Sequence, residues 1–596
     1  MSATTIAPQA GSTNSKTMAD LLPLTAAAHG DAPALRHKVD GEWVDISYAD
    51  LGTAVREVSL GLADLGINLG DKVSILSHTR PEWTYANFGI LTSGATSVSI
   101  YQTNSAEECH YVLSHSESRA VFVEDAEQLA KIREVQGDLP DLEFIIVIEP
   151  SGDLGDALTL AELRERGAGR DQAEYDARVA AVTLDDSAVY IYTSGTTGPP
   201  KGVILTHRNY RNVTTMAEAQ GILAEGDVAY VFLPLAHAFA LLVQFVALDL
   251  GGTLAYWEKD SAKIIPNLQE VKPSYFPSVP RIFEKIYTMA TNAAPDKEQL
   301  AQAVAVGIKV RQMEAAGQEV PAELQAGFDQ AEEALYKNVR AIFGGNIRQC
   351  VTGAAPISQE ILEFFYACGV PVLEGYGMTE TSTVATVNEL GDFKFGSVGK
   401  PIPGQEVVIA EDGEILLKGP NIFQGYYKNE KATAETLEDG WLHTGDLGSI
   451  DEDGFLFITG RKKDIIITAG GKNITPANLE NGLKQCRWVS QAVVVGDRRP
   501  YLIALITLDP EEAPAFAKEH DLSVEELPDS EAMKAAVQEQ VDIVNTKVGP
   551  VEQIKKFKIL DHDLSQETGE LTPTLKVKRN VVNEKFAQQV DDLYGG

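Results

Sequence analysis

Short apolar runs alternate with stretches of helical pattern along most of the chain. The runs at 120–123, 144–148 and 188–192 are rich in β-branched and aromatic residues and have the length of buried strands. The stretches at 107–114 and 261–271 between such runs have helical patterns. This alternation predicts an α/β fold with largely buried sheets.

One segment, residues 295–342, departs from this pattern because it is rich in Ala, Glu, Gln and Lys. Asp296 followed by Gln299 resembles a helix capping box, and Pro321 could open a second helix. The segment therefore predicts a long helical pair. A surface insertion without a catalytic role is the stronger interpretation of that pair.

The pattern of apolar and turn residues changes again after about residue 391. The stretches at 413–417 and 454–458 are typical of strands separated by Gly and Asp turns, and a charged break follows at 460–464. We predict a flexible tail at 1–18, an N-terminal domain at 19–460 made of packed α/β sheets plus a β-rich subdomain, and a small C-terminal α/β domain at 461–596.

Charge and cysteine content narrow the functional classes. A formal net charge of −36 repels nucleic acid and anionic membranes at long range, so neither is expected as a general partner. The four cysteines lie far apart without a CxxC pair, which favours reduced, buried thiols over disulfides or a zinc site. Polar residues interrupt the longest apolar stretch, 231–250, and the N-terminus lacks a secretory apolar region. The sequence therefore favours a soluble cytoplasmic protein.

The loop at 192–202 carries the clearest chemical signal, with the sequence Tyr-Thr-Ser-Gly-Thr-Thr-Gly-Pro-Pro-Lys-Gly. Backbone N–H groups freed by glycine, hydroxyl groups and a lysine together form a natural cradle for phosphate oxygens. A P-loop is a poor interpretation because Pro200 replaces its second glycine and Gly202 replaces its Ser or Thr. Pro200 also cannot donate an N–H group to phosphate.

This loop resembles the phosphate-loop signature of the adenylate-forming superfamily, which includes acyl-CoA synthetases, peptide-synthetase adenylation domains and beetle luciferases. Further segments match the motifs of that family in the family's order, at 233–237, 352–356, 374–380, 440–446, 470–472 and 571–579. Two departures stand out. Leu575 occupies a position where many members have glycine, and the loop at 470–472 is one residue longer than in shorter members.

The resemblance implies a set of roles for individual residues. Lys576 would be the catalytic lysine, with Lys578 as its rival, and Glu380 and His237 would complete the catalytic group. Thr193 and Glu380 would hold Mg²⁺, which suits a hard cation that takes one or two carboxylates plus phosphate oxygens. Residues expected to contact ATP or AMP are Thr193, Ser194, Gly195, Thr196, Thr197, Gly198, Lys201, Gly353, Ala354, Ala355, Glu374, Gly375, Tyr376, Gly377, Thr379, Asp446, Arg461 and Lys463. Residues expected to line the CoA channel are Gly470, Gly471 and Lys472.

Within the superfamily, the helical segment at 295–342 and the string at 279–287 look like long-chain fatty acyl-CoA synthetases of bacterial type. The resemblance then implies ATP- and Mg²⁺-dependent activation of a long-chain fatty acid to acyl-AMP, transfer to CoA, and a mobile C-terminal lid with its hinge near Lys463. The apolar run at 239–248 could line an acyl tunnel, although a helix that is apolar on all sides is more often core. Chain length, oligomeric state and a peripheral membrane contact for collecting substrate stay open.

Three other functions compete with this interpretation. A fatty acyl-AMP ligase would stop at the adenylate, but the intact hinge region and the glycine pair at 470–471 favour a CoA ligase. A peptide-synthetase adenylation domain is disfavoured because no carrier domain follows. A non-catalytic nucleotide- or acyl-binding relative is disfavoured because Lys576, Glu380 and Asp446 are retained.

Overall fold

The first third of the chain alternates strands and helices, as its apolar runs predict. The computed structural model describes residues 12–193, 199–292, 296–470, 472–572 and 576–595. The elements up to the phosphate loop are α1 Met18–His29, β1 Pro33–Val39, β2 Glu42–Ser47, α2 Tyr48–Asp64, β3 Lys72–Leu76, α3 Pro81–Ser93, β4 Thr96–Ile100, α4 Ala106–Ser116, β5 Ser118–Val123, α5 Ala126–Val135, β6 Phe144–Val147, β7 Leu158–Thr159, α6 Leu160–Ala168, α7 Gln172–Ala181 and β8 Ser187–Thr193.

The middle of the chain continues the alternation and contains the predicted helical segment. Its elements are β9 Lys201–Thr206, α8 His207–Ala219, β10 Val228–Val231, α9 Ala238–Asp249, β11 Thr253–Tyr256, α10 Ile264–Val271, β12 Tyr275–Ser278, α11 Pro280–Asn292, α12 Lys297–Ala315, α13 Ala322–Ala331, α14 Lys337–Ile342, β13 Gln349–Thr352, α15 Gln359–Cys368, β14 Val372–Tyr376, β15 Thr386–Val387 and β16 Lys400–Pro401. A π-helical turn, Glu332–Tyr336, joins α13 to α14.

The last third begins with short strands and ends in a small α/β unit. Its elements are β17 Glu406–Ile409, β18 Glu414–Lys418, β19 Gly425–Tyr426, α16 Glu430–Thr436, β20 Leu437–Glu438, β21 Trp441–Ile450, β22 Leu456–Arg461, β23 Ile466–Ile467, β24 Asn473–Ile474, α17 Pro476–Leu483, β25 Val489–Val495, β26 Leu502–Leu508, α18 Ala513–Glu519, α19 Glu531–Thr546, β27 Ile554–Ile559, α20 Arg579–Lys585 and α21 Ala587–Tyr594. Short 3-10 turns lie at Thr379–Thr381 and Lys462–Asp464.

Two large, mainly parallel sheets form the body of the protein. The first has the strand order β19-β9-β8-β4-β3-β5-β6-β7, and the second has the order β16-β15-β14-β13-β12-β10-β11-β1-β2. Strands β17, β18, β20, β21 and β22 form a separate antiparallel sheet. This arrangement confirms the predicted α/β class with packed sheets and a β-rich subdomain.

The main core lies between the two large sheets. Alternate residues of one strand serve opposite faces, as Val73 and Ile75 of β3 pack into the central core while Leu76 joins the outer one. Helix α9, which matches the apolar run at 239–248, lies in the central core and is buried on nearly all sides. Helices α10, α11, α14 and α15 cover the far face of the second sheet.

The N-terminal segment is ordered over a longer stretch than we predicted. Thr17 caps α1 in a reciprocal capping box with Asp20. Thr13 and Ser12 hydrogen-bond to the buried carboxylate of Asp249, and the buried Ser15 accepts a hydrogen bond from Arg211. The prediction of a flexible tail through residue 18 is therefore wrong for residues 12–18, because a buried charged cluster anchors them. Residues 1–11 lie outside the described part of the chain.

That cluster also contains a carboxyl group with a raised pKa. Glu218 is buried next to Arg211 and Asp249. Burial and the neighbouring Asp249 carboxylate raise the pKa of Glu218 to about 8. Glu218 therefore holds its proton at neutral pH, while Asp249 carries the negative charge that Arg211 and the N-terminal hydroxyls satisfy.

The predicted helical pair at 295–342 is present and packs against the outer core of the second sheet. Asp296 accepts hydrogen bonds from the N–H groups of Glu298 and Gln299 at the start of α12, and Pro321 immediately precedes α13. Tyr336 is buried and its hydroxyl donates to the Ala303 carbonyl oxygen. The segment thus packs on the outer core of the second sheet, and most of α12 and α13 lies on the surface, in agreement with a surface insertion.

The C-terminal unit has its own cores. Strands β25, β26 and β27 form a three-stranded sheet with α17, α18 and α19 on one face, and α20 and α21 on the other. The four cysteines are free and buried, as expected. In the described ranges, no helix is both long enough and apolar enough to cross a membrane.

Candidate active site

The phosphate loop connects two antiparallel strands. Thr193 at the end of β8 pairs with Lys201 at the start of β9, so the loop leads into a strand rather than a helix. The predicted contact residues Ser194, Gly195, Thr196, Thr197 and Gly198 lie outside the described residues. The loop's base is well packed, because a Cβ atom on Gly202 would lie 3.1 Å from the ring of Tyr192.

Glu380 lies at the carboxyl end of β14, in the short 3-10 turn Thr379–Thr381. Its side chain is buried, and the Tyr426 hydroxyl donates a 2.7 Å hydrogen bond to Glu380 Oε1. The ring of Tyr426 also faces Lys201, whose ammonium nitrogen lies 4.6 Å from the ring centroid. Tyr426 therefore links the predicted metal ligand to the phosphate loop.

The chain around this turn is held against α9. A Cβ atom on Gly377 would lie 2.0 Å from the carbonyl oxygen of Thr383, so glycine is required by this close approach. The Thr383 hydroxyl donates to the Ala238 carbonyl oxygen at 2.8 Å. The predicted contact residues Gly377 and Thr379 are thereby fixed next to the first turn of α9, where His237 lies.

Asp446, Tyr376 and Arg461 meet at one point, as the motif order predicts. The Tyr376 hydroxyl donates to Asp446 Oδ2 at 2.7 Å, and Arg461 Nε donates to Asp446 Oδ1 at 2.9 Å. The register of β21 and β22 pairs Asp446 directly with Arg461. Both carboxylate oxygens are hydrogen-bonded, which fixes the orientation of Asp446.

The predicted nucleotide-contact residues Gly353, Ala354 and Ala355 lie next to the strand that carries Tyr376. Gly353, Ala354 and Ala355 follow β13 in a turn where Ala354 has φ = +67°, and both alanines are exposed. A Cβ atom on Gly353 would lie 3.0 Å from the carbonyl oxygen of Gly375, so the turn and the end of β14 are in close contact. The Oε2 atom of Glu374 in β14 is buried. Burial raises the pKa of Glu374 to about 8. Glu374 is therefore neutral at pH 7.

His237 caps the N-terminus of α9. Its Nδ1 accepts a hydrogen bond from the N–H group of Phe239 at 3.2 Å, which assigns the proton of the neutral ring to Nε2. Burial, assisted by the positive charge of Lys576, lowers the pKa of His237 to about 4. A neutral imidazole is thus presented near the predicted catalytic lysine.

Lys576 is brought into the same site by the C-terminal unit. The N–H of Thr572 donates to the carbonyl oxygen of Lys576 at 2.8 Å, and the N–H of Lys576 donates to the Thr572 hydroxyl at 3.0 Å. Lys576 is solvent-exposed as a residue, yet the loss of hydration around its ammonium group lowers its pKa. Arg461 lowers that pKa further, whereas Asp446 and Glu380 oppose the shift. These four groups therefore share one electrostatic environment.

The predicted hinge and CoA residues lie apart from this group. Lys463 is exposed in the 3-10 turn between β22 and β23. Gly470 and Lys472 belong to the β23–β24 hairpin of the C-terminal unit, where Lys472 pairs with Glu552 at 3.6 Å. Gly471 lies outside the described residues. The rival lysine, Lys578, precedes α20, and its N–H donates to the Glu570 carbonyl oxygen at 2.7 Å.

The residues present suit magnesium. The Thr193 hydroxyl and the Glu380 carboxylate are hard oxygen donors, and Mg²⁺ commonly takes one or two carboxylates together with substrate phosphates. Tyr426 bonds to Oε1 of Glu380, so Oε2 can serve as the metal ligand. The predicted roles of Thr193 and Glu380 remain predictions.

Tyr426 is a candidate site residue that the sequence did not reveal. It lies in the two-residue strand β19, which pairs with β9 across more than two hundred residues of sequence. A tyrosine after glycine is a common strand pattern and gives no specific signal of a contact with a carboxylate. A long-range pairing of strands creates this contact.

Comparisons with protein families cover most of the chain. The family model described as AMP-binding enzyme matches residues 22–427, and the model described as AMP-binding enzyme C-terminal domain matches residues 463–596. The long-chain-fatty-acid–CoA ligase FadD15 of Mycobacterium bovis is 42% identical over 93% of this chain and 93% of its own length. The human long-chain-fatty-acid–CoA ligase ACSBG2 is 31% identical over 95% of this chain and 90% of its own length.

Solved structures show the same fold at lower identity. The adenylation domain of a carboxylate reductase from Mycobacterium chelonae has a TM-score of 0.78 and is 21% identical, covering 99% of this chain and 94% of its own. An O-succinylbenzoate coenzyme A synthetase from Bacillus subtilis, in complex with ATP and magnesium ion, has a TM-score of 0.67 and is 23% identical, covering 94% of this chain and 98% of its own.

Proposed function

The chain belongs to the AMP-binding enzyme family, and we propose that it is an ATP- and Mg²⁺-dependent long-chain fatty acid–CoA ligase. It joins a long-chain fatty acid to CoA and releases AMP and pyrophosphate. The acyl specificity is supported by relatives named long-chain-fatty-acid–CoA ligase that match nearly the whole chain.

The observation that carries the proposal is the common environment of Lys576, Glu380, Asp446 and Arg461. A lysine whose pKa is lowered by lost hydration gains most when anionic phosphate arrives beside it. In this proposal, Asp446 and Arg461 bind the ribose, and Glu380 binds Mg²⁺. This set of groups is suited to binding a nucleoside triphosphate and to stabilising negative charge at its α-phosphate.

The first step is adenylation. A carboxylate oxygen of the fatty acid attacks the α-phosphorus of ATP, the bond from the α-phosphorus to the α,β-bridging oxygen breaks, and pyrophosphate leaves with the electron pair. Mg²⁺ bound at Thr193 and Glu380 would reduce the repulsion between the two anions. Lys576 stabilises negative charge on the α-phosphate and the attacking oxygen, so no protein nucleophile is needed.

The neutral state of His237 suits this first step. A charged imidazole would bind the substrate carboxylate as an ion pair and make it a weaker nucleophile. The Nε2–H of neutral His237 instead orients the carboxylate through an ordinary hydrogen bond.

The second step is thioester formation. The CoA thiol loses its proton and attacks the acyl carbon of acyl-AMP, and AMP leaves as the phosphate anion. Lys576 is no longer needed at the phosphate in this step. We assign the hinge of the C-terminal unit to Lys463, and the channel for the pantetheine arm of CoA to Gly470, Gly471 and Lys472.

One assay tests the function and separates the rivals. Purified protein is incubated with ATP, Mg²⁺ and fatty acids of increasing chain length, with and without CoA, and pyrophosphate and acyl-CoA are measured. We expect acyl-CoA with long-chain acids and its loss in a Lys576→Ala variant. Pyrophosphate release without acyl-CoA would favour an acyl-AMP ligase, and no release at any chain length would favour a binding protein.

The remaining features of the proposal concern the setting of the reaction. We assign the enzyme to the cytoplasm, with ATP, CoA and fatty acid as its substrates. A peripheral contact with membranes would let it collect a poorly soluble acid. Sedimentation of the protein with lipid vesicles that contain palmitate, compared with vesicles that lack it, tests that contact.

A further inference from the structure

Helix α11 presents two cationic side chains on one face, away from the core. Phe283 and Ile286 of this helix are buried against the second large sheet. Arg281 and Lys285 lie one helical turn apart, so they project from the same side. The start of this helix overlaps the string at 279–287, which resembles long-chain fatty acyl-CoA synthetases. The proposed reaction gives that string no role.

The partners of these cations come from the C-terminal unit. Arg281 forms an ion pair with Asp509, and Lys285 forms one with Glu511. Asp509 and Glu511 lie in the turn between β26 and α18. Oδ1 of Asp509 accepts a hydrogen bond from the N–H of Glu511 at 2.9 Å, while Oδ2 accepts one from the Arg281 guanidinium. The turn is therefore held in shape by the same carboxylate that binds the helix.

Polar contacts carry the connection between the two units. The apolar cores of the N-terminal body and of the C-terminal unit share no residue among those described. Besides the two ion pairs, side-chain contacts that join the units in the described ranges include Gln485 to Ser358, at 2.9 Å, and, at the boundary itself, Lys462 to Glu414, at 2.8 Å. These polar contacts contribute to the position of the C-terminal unit, and hence of Lys576.

We propose that Arg281 and Lys285 are positioning residues that hold the C-terminal unit where Lys576 faces the nucleotide site. The inference rests on the proposed function for its kinetic consequence. The ion pairs act on the adenylation step, which needs Lys576 at the α-phosphate. They do not act on thioester formation, which does not need it.

The kinetic test separates the two half-reactions. Adenylation is measured as pyrophosphate release from ATP and palmitate, and thioester formation is measured from purified palmitoyl-AMP and CoA. Each partly exposed ion pair shifts an equilibrium by about two- to five-fold. Two such pairs together amount to about four- to 25-fold, so we expect the Arg281→Gln/Lys285→Gln variant to lose adenylation by about that factor and to keep thioester formation.

Two controls make the electrostatic cause specific. Lys285→Glu should lower adenylation, and adding Glu511→Lys should restore it, because both side chains are exposed enough to exchange charge without changing the core. Lys297→Gln, which removes an exposed lysine from the neighbouring helix α12, should change neither step. Added salt should lower wild-type adenylation towards that of the double variant, because screening weakens ion pairs. Equal loss of both steps, or failure of the charge exchange, would overturn the proposal.

A distance measurement tests the positioning without using activity. The four native cysteines are buried, so spin labels can be directed to Val44→Cys in the N-terminal body and Val551→Cys in the C-terminal unit, both exposed. We expect one dominant distance in the otherwise unchanged protein and a second population in Arg281→Gln/Lys285→Gln. An unchanged distribution would overturn the positioning role. A protein that shows this shift but releases no pyrophosphate would contradict the proposed function and leave the positioning intact.

Discussion

Replacing Tyr426 with phenylalanine removes one hydroxyl and keeps the ring under Lys201. The hydroxyl donates to the buried Glu380 carboxylate at 2.7 Å, whereas the ring contact with the Lys201 ammonium, at 4.6 Å, does not need it. A hydrogen bond to a charged group is worth about 1.5–3 kcal/mol. If Tyr426 fixes the carboxylate for Mg²⁺, this loss should lower kcat/KM for adenylation by about 10- to 100-fold.

The variant should also bind MgATP more weakly. Pyrophosphate release at varied Mg²⁺ gives the kinetic effect, and titration calorimetry with MgATP gives the binding effect without turnover. Because the variant loses the hydrogen bond that orients the Glu380 side chain, we expect the Mg²⁺ concentration for half-maximal rate to rise. Added Mg²⁺ should recover part of the loss.

The adjacent Tyr427 provides a matched control. Its hydroxyl donates to the exposed Glu117 at 2.8 Å, away from Glu380, so Tyr427→Phe removes the same atom from a solvated pair. We expect Tyr427→Phe to retain the original Mg²⁺ dependence. If Tyr426→Phe loses activity without any change in Mg²⁺ dependence or MgATP binding, the assigned role of Tyr426 is wrong.

Three further predictions concern other groups. Lys576→Ala should lower adenylation by about 10²-fold or more, while Lys578→Ala leaves it nearly intact; the reverse order, measured by pyrophosphate release, would assign catalysis to the rival. Lys463→Pro should stall thioester formation and spare adenylation in the separated half-reactions, and an equal loss of both would refute the hinge. Burial raises the pKa of Glu218 to about 8 from 4.5, so the folded state keeps a proton that the unfolded chain loses. Stability should therefore fall by at most about 1.4 kcal/mol per pH unit between these values, and Glu218→Gln should remove that slope in urea titrations at several pH values; an unchanged slope would contradict the assignment.

The fold was largely predictable because its signals are local. Buried strands such as β5 and β8 are continuous apolar runs, and α12 begins where Asp296 can cap it. Helix α9 likewise follows an apolar run of helical length. These features depend on neighbouring residues, so the order of residues along the chain is enough to show them.

The contacts that sequence reasoning missed are long-range. Thr13 and Asp249 are separated by 236 positions along the chain. The polar composition of residues 12–18 therefore could not show that this segment is held in a fixed conformation. The Tyr426 contact with Glu380 depends on the pairing of β19 with β9. The burial of Tyr336 depends on how the helical segment packs, which its composition does not show.

The candidate site was predictable to the extent that its motifs are contiguous. Asp446 and Arg461 were both predicted to contact ATP or AMP, and the pairing of β21 with β22 brings them together. The state of each group was not predictable, because the pKa values of His237 and Glu374 are set by burial in the folded protein. Motif order supplied the candidate residues, whereas packing determines the protonation of His237 and Glu374.

The central claim is that a fatty acid carboxylate attacks the α-phosphorus of ATP and that CoA then displaces AMP. Palmitate labelled with ¹⁸O in its carboxylate, turned over with ATP, Mg²⁺ and CoA, tests this claim by mass spectrometry of the products. We predict one ¹⁸O atom in AMP and one in palmitoyl-CoA, with pyrophosphate unlabelled. Label in inorganic phosphate together with ADP, or palmitoyl-CoA formed with unlabelled AMP, would contradict the account.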